Sequence, residues 1–294
     1  MKSYRAEEEL IFDKNSSHSI HSFWIKKSRF PSFWHFHPEI ELTFIKQGSG
    51  IRVVGDSIQS FEKNDLVLLG SNLPHNWISF DESITSEAFV LQFSSRIFES
   101  FSEFDELNQF LEAAKKGYFF PTPGKLILDK IDEFTTLPDP LKFSATIEIL
   151  FELVKNHHKT TLASQDYVIP ASYNKSQKRY EIVTDYVLNN ISGRISLQEI
   201  SGIANMNKEA FSRWFKQING HSFTTYLNKT RIEISCHLLL NTSESVNDIC
   251  YKVGFESQSQ FHRCFSSFKN TSPLQFRKLR SKNLTKLIHS PHKE

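Results

Sequence analysis

The feature that most constrains this chain is an internal repeat of about fifty residues in its last third. Residues 197–201 (Leu-Gln-Glu-Ile-Ser) recur as residues 246–250 (Val-Asn-Asp-Ile-Cys), an offset of 49 positions. Residues 211–215 (Phe-Ser-Arg-Trp-Phe) recur as residues 261–265 (Phe-His-Arg-Cys-Phe), an offset of 50, and a turn between the blocks can accommodate the extra residue. Since a repeat of this length corresponds to one small supersecondary unit, the last third is predicted to contain two copies of it.

Each unit has the pattern of a short helix, a turn and a longer helix. The leading helices carry apolar stripes at helical spacing. Their members are Leu197, Ile200 and Ala204 in the first unit and Val246, Ile249 and Val253 in the second. Asn207 and Ser257 are expected to cap the second helices, and Pro273 suits the start of a final helix. The predicted helix-turn-helix units, connecting helix and final helix cover about residues 197–217, 246–268, 223–240 and 274–280.

The charges are distributed unevenly along the chain. Residues 177–294 contain 17 lysines and arginines and 9 aspartates and glutamates, which gives a net charge of +8. The remaining residues contain 18 and 24, a net charge of −6, although the whole chain carries only +2. A basic segment joined to an acidic one indicates that only the rear part contacts a polyanion such as a nucleic acid.

The repeat and the residues around it resemble the characteristic pattern of a known protein family. These residues are Phe211-x-Arg213-x-Phe215-Lys216, Gly220, Tyr226-Leu227, Arg231-Ile232, Leu238-Leu239, Ile249, Val253-Gly254-Phe255, Phe261-x-Arg263-x-Phe265, Thr271-x-Pro273 and Phe276-Arg277. Over about residues 180–278 this pattern is similar to that of the AraC/XylS family of transcription regulators. Ser266 and Asn270 depart from it, since a lysine and a glycine are common there. The resemblance implies sequence-specific binding to promoter DNA, and RNA polymerase as a further partner if the protein is an activator.

A helix-turn-helix places its second helix in the DNA major groove, N-terminal end first. With the aromatic residues of these recognition helices assigned to the core, their other faces are exposed. The residues predicted to contact DNA are Lys208, Glu209, Ser212, Arg213 and Lys216 in the first helix and Gln258, Ser259, His262, Arg263 and Lys269 in the second. Arg213 and Arg263 suit guanine, and Gln258 suits adenine. The phosphate contacts are expected from Lys208, Lys216, Lys269, Arg277 and Lys278, each with a solvated helix face as the alternative.

The front part of the chain has the pattern of a β-rich domain. From residue 19 to residue 93, short runs of β-branched and aromatic residues alternate with turn residues, which favours a small sandwich or barrel. The predicted strands are 22–25, 40–45, 51–54, 66–69 and 88–93. Helical spacing then predicts helices over 97–114, over 125–134 and around 147–154. Residues 159–176 are polar and without a clear period, which is typical of a linker.

One stretch of this front part is a candidate for binding chemistry: residues 35–41, His-Phe-His-Pro-Glu-Ile-Glu. On a strand, His35, His37 and Glu41 would project to one face, and His75 would join them from a neighbouring strand. Such side chains suit a divalent metal ion such as Zn²⁺, Fe²⁺ or Mn²⁺. The alternative is that they line the interior of the domain and hydrogen-bond each other or an organic ligand.

The spacing His-x-His-x3-Glu-x6-Gly, which ends at Gly48, resembles the first cupin motif, although Pro38 is expected to disturb the strand. The front part is similar to the cupin-like regulatory domain that many AraC/XylS members carry, and this resemblance implies a small-molecule effector. The residues expected to bind the effector are His35, His37, Glu41, His75 and Trp77. Trp34 and Trp77 supply aromatic surface on which a sugar could stack. No metal and no cofactor is assigned to the site.

The expected fold is α+β with two domains. A cupin-like β-barrel or sandwich with trailing helices would occupy residues 1–158, a linker residues 159–176, and an all-α domain with two helix-turn-helix units joined by a long helix residues 177–294. The favoured function is a homodimeric DNA-binding transcription regulator, not an enzyme, under the control of a small-molecule effector. Two alternatives stay open: a metal-dependent cupin enzyme with an appended DNA-binding module, and a nucleoid-type DNA binder without an effector.

The sequence also bears on the cellular location. The N-terminus has no pattern of a targeting segment, and no apolar stretch approaches the ~18 residues that a membrane helix needs. We therefore expect a cytoplasmic protein that does not contact the membrane. Its three cysteines, Cys236, Cys250 and Cys264, lack the spacing of a zinc site and are interpreted as small buried side chains.

Overall fold

The computed structural model describes residues 19–31, 33–79, 85–168 and 173–278, and in it the strands precede most of the helices. The strands are β1 (Ile20–Lys27), β2 (Ile40–Gln47), β3 (Gly50–Val54), β4 (Ser57–Phe61), β5 (Leu66–Leu69), β6 (His75–Ser79), β7 (Ser86–Phe93), β8 (Tyr118–Phe120) and β9 (Thr160–Thr161). The helices are α1 (Asp105–Ala113), α2 (Lys125–Glu133), α3 (Asp139–Lys155), α4 (Tyr173–Asn189), α5 (Leu197–Ile203), α6 (Lys208–Asn219), α7 (Phe223–Asn241), α8 (Val246–Lys252) and α9 (Gln258–Lys269). The chain is thus sheet-rich in front and helical behind, as predicted.

The strands form two antiparallel sheets that pack against each other. The larger has the order β1-β7-β2-β5-β8-β9 and the smaller the order β4-β3-β6. The central strand β2 alternates between two buried environments: Leu42 and Phe44 face the helices, whereas Glu41 and Thr43 face the smaller sheet. A strand covered on both sides buries both sets of side chains. This alternation carries the carboxylate of Glu41 into the interior of the domain.

Helices α1, α2 and α3 cover the outer face of the larger sheet. Their apolar side chains, among them Leu107, Ile131 and Ile149, form one core with Leu42 and Phe44 of β2. Burial of one such side chain contributes about 1.5–3 kcal/mol relative to exposure. The front domain therefore has a core of its own, on the side of the larger sheet that faces away from Glu41.

The structure differs from the predicted elements in several places of the front part, among them the unpredicted strand β8. β4 and β6 were not predicted as strands, because both are short and largely polar. The helix predicted over residues 97–114 begins instead with two 3-10 turns, Ser95–Phe98 and Ser102–Phe104, and α1 starts only after them. Phe98 is fully buried in the core between sheet and helices, so the chain bends to bring its ring inward.

The predicted linker, residues 159–176, is largely built into the two domains. β9 extends the edge of the larger sheet beside β8, and Leu162, Ala163 and Tyr167 are buried against the front domain. Helix α4 already begins within the predicted linker, and residues 169–172 lie outside the described part of the chain. The few apolar residues that fix this segment are scattered among polar ones, which is why its composition suggested a linker.

The rear helices form the two predicted helix-turn-helix units, α5–α6 and α8–α9, joined by α7. Asn207 caps α6 by accepting the Ala210 backbone N–H at 2.8 Å, and Ser257 caps α9, as predicted. Gly254 has a φ of +90° in the second turn, a conformation that favours glycine. Residues 273–278 begin the predicted final helix, whose last two residues lie outside the described part. Within the described residues, no helix is long and apolar enough to span a membrane.

The front and rear parts share a hydrophobic core. Helix α7 packs against β3 and β4 of the smaller sheet. Trp34 lies with its ring centroid 4.9 Å from that of Tyr180 in α4, and Ile51, Val53 and Ile58 belong to the same cluster. The smaller sheet therefore has two sides, one towards the interior of the front domain and one towards the helices of the rear domain.

Candidate functional site

The first candidate site is the outer face of α6, the second helix of the first helix-turn-helix unit. α5 begins with a capping box in which Ser196 and Glu199 each accept a backbone N–H from the other residue. Phe211 and Phe215 are fully buried and anchor α6. The opposite face is exposed, and it presents Lys208, Glu209, Ser212, Arg213 and Lys216. The structure thus places all five residues predicted for this helix on one solvent-facing surface.

The second candidate surface is the equivalent face of α9. Phe261 and Phe265 are fully buried and take the places of the two anchoring phenylalanines of α6. Four of the residues predicted to contact DNA are exposed on the other side: Gln258, Ser259, His262 and Arg263. The side-chain amide of Gln258 donates a hydrogen bond to Asn247 of α8, which fixes its position at the start of the helix. Arg213 and Arg263 occupy corresponding positions on the two helices.

Two basic residues that were predicted to contact DNA lie elsewhere in the structure. Lys269 does not face the exposed surface of α9, because its ammonium pairs with the buried carboxylate of Glu233 on α7. Arg277 uses its guanidinium to bind the backbone carbonyls of Leu239 and Glu244, at 3.0 and 2.6 Å. Both side chains make contacts within the rear domain that the sequence did not predict, and their contact with DNA stays a prediction.

Arg231 on α7 is a residue whose role the sequence reasoning missed. Its guanidinium donates to the carbonyls of Ile191 and Gly193, at 3.2 and 2.6 Å, and lies 5.8 Å from the ring centroid of Phe255. It therefore ties the loop before α5 to the turn of the second unit. Its neighbours in the sequence, Lys229, Thr230 and Glu233, are polar or charged, so no local pattern marked Arg231 as a buried residue.

The third candidate site is a buried cluster between the two sheets. His35, His37, Glu41 and His75 each place one ligand atom within 4.8 Å of the others. The Glu41 carboxylate lies 3.0 Å from His37 Nε2 and 3.7 Å from His75 Nε2. Pro38 interrupts the strand, as suspected, and β2 starts only after it. An isolated β-bridge between His35 and His75 nevertheless brings their rings to a centroid distance of 4.2 Å.

Three polar residues that the sequence did not single out support this cluster. Thr43 Oγ1 and Gln92 Nε2 donate hydrogen bonds to the carboxylate of Glu41, at 2.5 and 2.8 Å. A carboxylate oxygen of Glu39 lies 3.4 Å from His37 Nδ1. Gln92 stands directly opposite Glu41 in the register of β2 and β7. This register is a long-range property, so the spacing of residues along the chain did not reveal it.

Burial and neighbouring charges set the protonation of the cluster. Burial lowers the pKa of His35, and burial together with the neighbouring His35 holds the pKa of His75 well below its usual value. Burial also opposes a charge on His37, but Glu39 and Glu41 outweigh it and raise the pKa of His37 to about 9. Burial disfavours the ionised form of Glu41, yet the surrounding imidazoles outweigh burial and hold the pKa of Glu41 well below its usual range. The cluster therefore combines a carboxylate, one imidazolium and two neutral imidazoles.

The donor set of the cluster fits a transition metal ion. Three imidazole nitrogens and a carboxylate oxygen are typical ligands of zinc and of non-haem iron. His75 Nε2 is buried and makes no hydrogen bond to any residue that the structure describes, so it is available as a ligand. Trp77 was predicted in the same site, and its ring centroid lies 5.7 Å from that of His75. The indole therefore borders the cluster and is not one of its donors.

Two repeated helix-turn-helix units with exposed basic residues define the class of sequence-specific DNA-binding proteins. Residues 200–279 match a family model described as a helix-turn-helix domain. The chain is 24% identical over 258 residues to the uncharacterized HTH-type transcriptional regulator YisR of Bacillus subtilis (strain 168), which covers 83% of this chain and 87% of that protein. It is 20% identical over 263 residues to the HTH-type transcriptional activator RhaS of Enterobacter sp. (strain 638), covering 88% and 92%. The crystal structure of ToxT from Vibrio cholerae O395 aligns with a TM-score of 0.36 and 16% identity, over 88% of this chain and 97% of that one.

The matched domain and the relatives agree on the kind of protein to which this chain is similar. The C-terminal domain is a helix-turn-helix domain of the AraC type. The protein is a DNA-binding transcription regulator that carries this domain.

Proposed function

We propose that this regulator binds a specific DNA sequence with α6 and α9, and that a small ligand bound in its cupin-like front domain controls this binding. The observation that carries the proposal is the direct packing of α7, which joins the two recognition units, on the smaller sheet of the front domain. A ligand that changes the front domain thereby acts on the element that sets the placement of both units. This is control by a shift between two arrangements of the domains.

The dimensions of α7 support recognition of two successive segments of the major groove. The helix contains 19 residues. At about 1.5 Å per residue it spans about 28 Å. Recognition helices attached at its two ends match a separation of about one DNA turn, ~34 Å. In this arrangement Arg213 and Arg263 contact guanines, and the lysines of α6 contact phosphates.

Polar contacts between the domains support communication between them. The backbone N–H of Ser60 in β4 donates to Glu233 of α7 at 3.1 Å. The carbonyl oxygen of Asp56, in the turn between β3 and β4, lies 3.0 Å from His221 Nε2, just after α6. The carboxylate of Asp56 is itself held by Ser164 of the front domain. The turn is therefore fixed on one side and contacts the first recognition unit on the other.

We propose that the histidine cluster serves sensing and not catalysis. His75, Glu41 and His37 are only 1%, 4% and 8% exposed and His35 is partly buried, so the donor atoms offer a substrate little open surface. This argues against the alternative of a metal-dependent enzyme with an appended DNA-binding module.

We further propose that the protein forms a homodimer through the front domain, which would double the number of recognition helices on the DNA. Contact with RNA polymerase would follow if the protein is an activator. Because promoter DNA is the proposed target, we propose a cytoplasmic location.

The proposal is tested by selecting binding sites for the full chain from a library of random duplex DNA, followed by footprinting of the winning sequence. We expect protection of two major-groove segments on one face of the DNA, about one turn apart for each chain. Protection of a single groove segment for each chain would contradict the model of two recognition helices. An enrichment no better than that of unselected DNA would favour a nucleoid-type DNA binder.

A further inference from the structure

We propose that the cluster of His35, His37, Glu41 and His75 binds a divalent transition metal ion of the zinc type, and that the DNA-binding domain senses the ion through Trp34. The inference rests on the proposed function, because it names the ligand to which the front domain responds. It departs from the expectation of an organic effector in this place. The geometry of the donors and the position of Trp34 lead to it.

The imidazoles are oriented as metal ligands are. His35 and His75 each donate Nδ1–H to the carbonyl oxygen two residues earlier in the chain, at 2.9 and 2.7 Å. Nε2 is therefore the nitrogen that carries a lone pair in both rings. His37 points Nδ1 towards the Glu39 carboxylate, 3.4 Å away, and Nε2 towards Glu41, and the Nε2 proton is released to solvent when this nitrogen binds the ion. Metal-binding histidines in proteins show the same arrangement, in which the second nitrogen donates to a carbonyl or carboxylate and so fixes the ring.

His75 Nε2 and Glu41 Oε1 face each other without a proton between them. They are 3.7 Å apart, both residues are buried, and His75 Nε2 makes no hydrogen bond to any described residue. A buried polar atom without a partner costs about 1–3 kcal/mol. The lone pair directed towards a carboxylate adds electrostatic repulsion. A cation that both atoms coordinate removes both costs, since it accepts both lone pairs.

The size of the cluster favours an ion over an organic molecule. All four ligand atoms lie within 4.8 Å of one another. Ligands about 2.0–2.2 Å from a zinc ion lie at most about 4.4 Å apart, so shifts of a few tenths of an ångström complete the coordination shell. A pocket for an organic effector needs about 300 Å³ or more. Glu41 instead accepts hydrogen bonds from Thr43 and Gln92, which fill the space beside the donors.

Trp34 connects the cluster to the first recognition helix. His35 faces the cluster, whereas Trp34, one residue earlier, is fully buried in the core of the rear domain. Its ring centroid lies 4.9 Å from that of Tyr180, and the Tyr180 ring stacks at 5.7 Å on Phe215 of α6. Neighbouring side chains of an extended segment point to opposite sides. A movement of His35 towards an ion therefore moves Trp34 within the core that anchors α6.

His75 provides a second connection to the same helix. The carbonyl of Pro74, one residue earlier, accepts the backbone N–H of Gly55 at 2.8 Å. The next residue, Asp56, contacts His221 just after the C-terminal end of α6. An ion that draws His35 and His75 together therefore acts on α6 both at its buried face and at its end.

Metal binding is tested with the full chain, stripped with a chelator, loaded with Zn²⁺ or Co²⁺ and freed of excess metal by gel filtration. We expect about one ion per chain by elemental analysis, and visible absorption of the Co²⁺ form that reports nitrogen and oxygen ligands in a low-symmetry site. His75→Gln and Glu41→Gln should reduce the retained metal to background. His158→Gln, on the exposed segment after α3, is the matched control and should retain the ion. Wild-type protein that retains no more metal than His75→Gln would overturn the proposal.

Sensing is tested by measuring the affinity of the same preparations for the selected DNA. We expect metal-loaded and metal-free protein to differ by about 5-fold to 150-fold, the usual range of coupling between sites. Trp34→Phe should retain the ion and bring this ratio close to one. Trp24→Phe, whose ring packs on Phe89 within the front domain, should leave the ratio unchanged. Thermal melts of both variants show whether they are folded.

The outcomes separate this inference from the proposed function. Equal DNA affinities with and without bound metal, or an unchanged ratio in folded Trp34→Phe, would overturn sensing through Trp34. Absence of any preference for the selected DNA, in both the loaded and the metal-free protein, would instead contradict the proposed function. Preference for the selected DNA with no retained metal would leave the proposed function standing and overturn the metal site alone.

Discussion

Glu233 on α7 pairs with Lys269 at the C-terminal end of the second recognition helix, and a carboxylate oxygen of Glu233 also accepts the backbone N–H of Ser60 from β4. One buried carboxylate thus joins three elements: α9, α7 and the front domain. The Glu233 side chain is only 6% exposed, and Lys269 and the backbone N–H of Ser60 stabilise it in this position. A structural change in the front domain can therefore alter the placement of α9 through Glu233. For α6 we propose the corresponding role for Trp34.

We expect Lys269→Ala to lower the free energy of unfolding by about 2–3 kcal/mol. A fully buried pair would cost about 3–5 kcal/mol when one partner is lost, and Lys269 is one-fifth exposed. Lys216→Ala, on the exposed face of α6, should change the free energy of unfolding by less than about 0.5 kcal/mol. It should also reduce the slope of log K for DNA binding against log salt concentration by about one. Urea unfolding and DNA titrations over a salt series measure both effects. If Lys269→Ala instead left stability unchanged and reduced the salt dependence of DNA binding, Lys269 would be shown to contact DNA.

Gly220→Ala is expected to destabilise the contact between the first recognition unit and the front domain. Gly220 ends α6 with a φ of +79°, and a Cβ atom there would meet the Cβ of Asp56 at 2.8 Å. The left-handed conformation alone costs a non-glycine residue about 1–2 kcal/mol. Gly202→Ala in α5 is the matched control: no described atom lies within 4 Å of its added Cβ, and we expect a gain of about 0.5–1 kcal/mol. Thermal and urea unfolding measure the expected loss of stability in Gly220→Ala and the expected gain in Gly202→Ala. A Gly220→Ala variant more stable than the wild type would contradict the contact.

Cys236 is expected to resist thiol reagents in the folded protein. Burial, first of all, raises the pKa of its thiol to about 12, so the reactive thiolate is scarce at neutral pH. Cys264, which is partly exposed, should react earlier than Cys236. Mass spectrometry of peptides after alkylation, with and without denaturant, distinguishes the positions. Rapid labelling of Cys236 without denaturant would show that the α7 core opens more readily than its packing indicates.

The helical part of the fold was predictable because its determinants are local. The fifty-residue repeat fixed both helix-turn-helix units, and Asn207 and Ser257 were identified as caps from neighbouring sequence alone. The pairing of Lys269 with Glu233 was not predicted, because Glu233 lies on another helix. Which lysine faces DNA and which faces a buried carboxylate depends on tertiary packing, which helical spacing does not contain.

The histidine cluster was predictable in its members but not in its geometry. The spacing of His35, His37 and Glu41 indicated a common site, yet Pro38 interrupts the strand on which the parity argument relied, and β2 begins only at Ile40. The bridge between His35 and His75 brings the side chains together instead. Gln92 joins through the register of β7, which the sequence does not reveal. Trp34 was expected to offer a stacking surface beside the cluster and is instead fully buried in the core with the rear helices.

The measurement that tests the central claim most directly is the binding of the full chain to its selected DNA and to random DNA, with Arg213→Ala and Arg263→Ala. We predict that each substitution costs about 1–3 kcal/mol on the selected DNA and little on random DNA, because each arginine contacts base edges. Lys155→Ala, an exposed charge at the end of α3, should have no effect on either DNA. Equal losses on both DNAs, or no loss at all, would contradict recognition of DNA by α6 and α9.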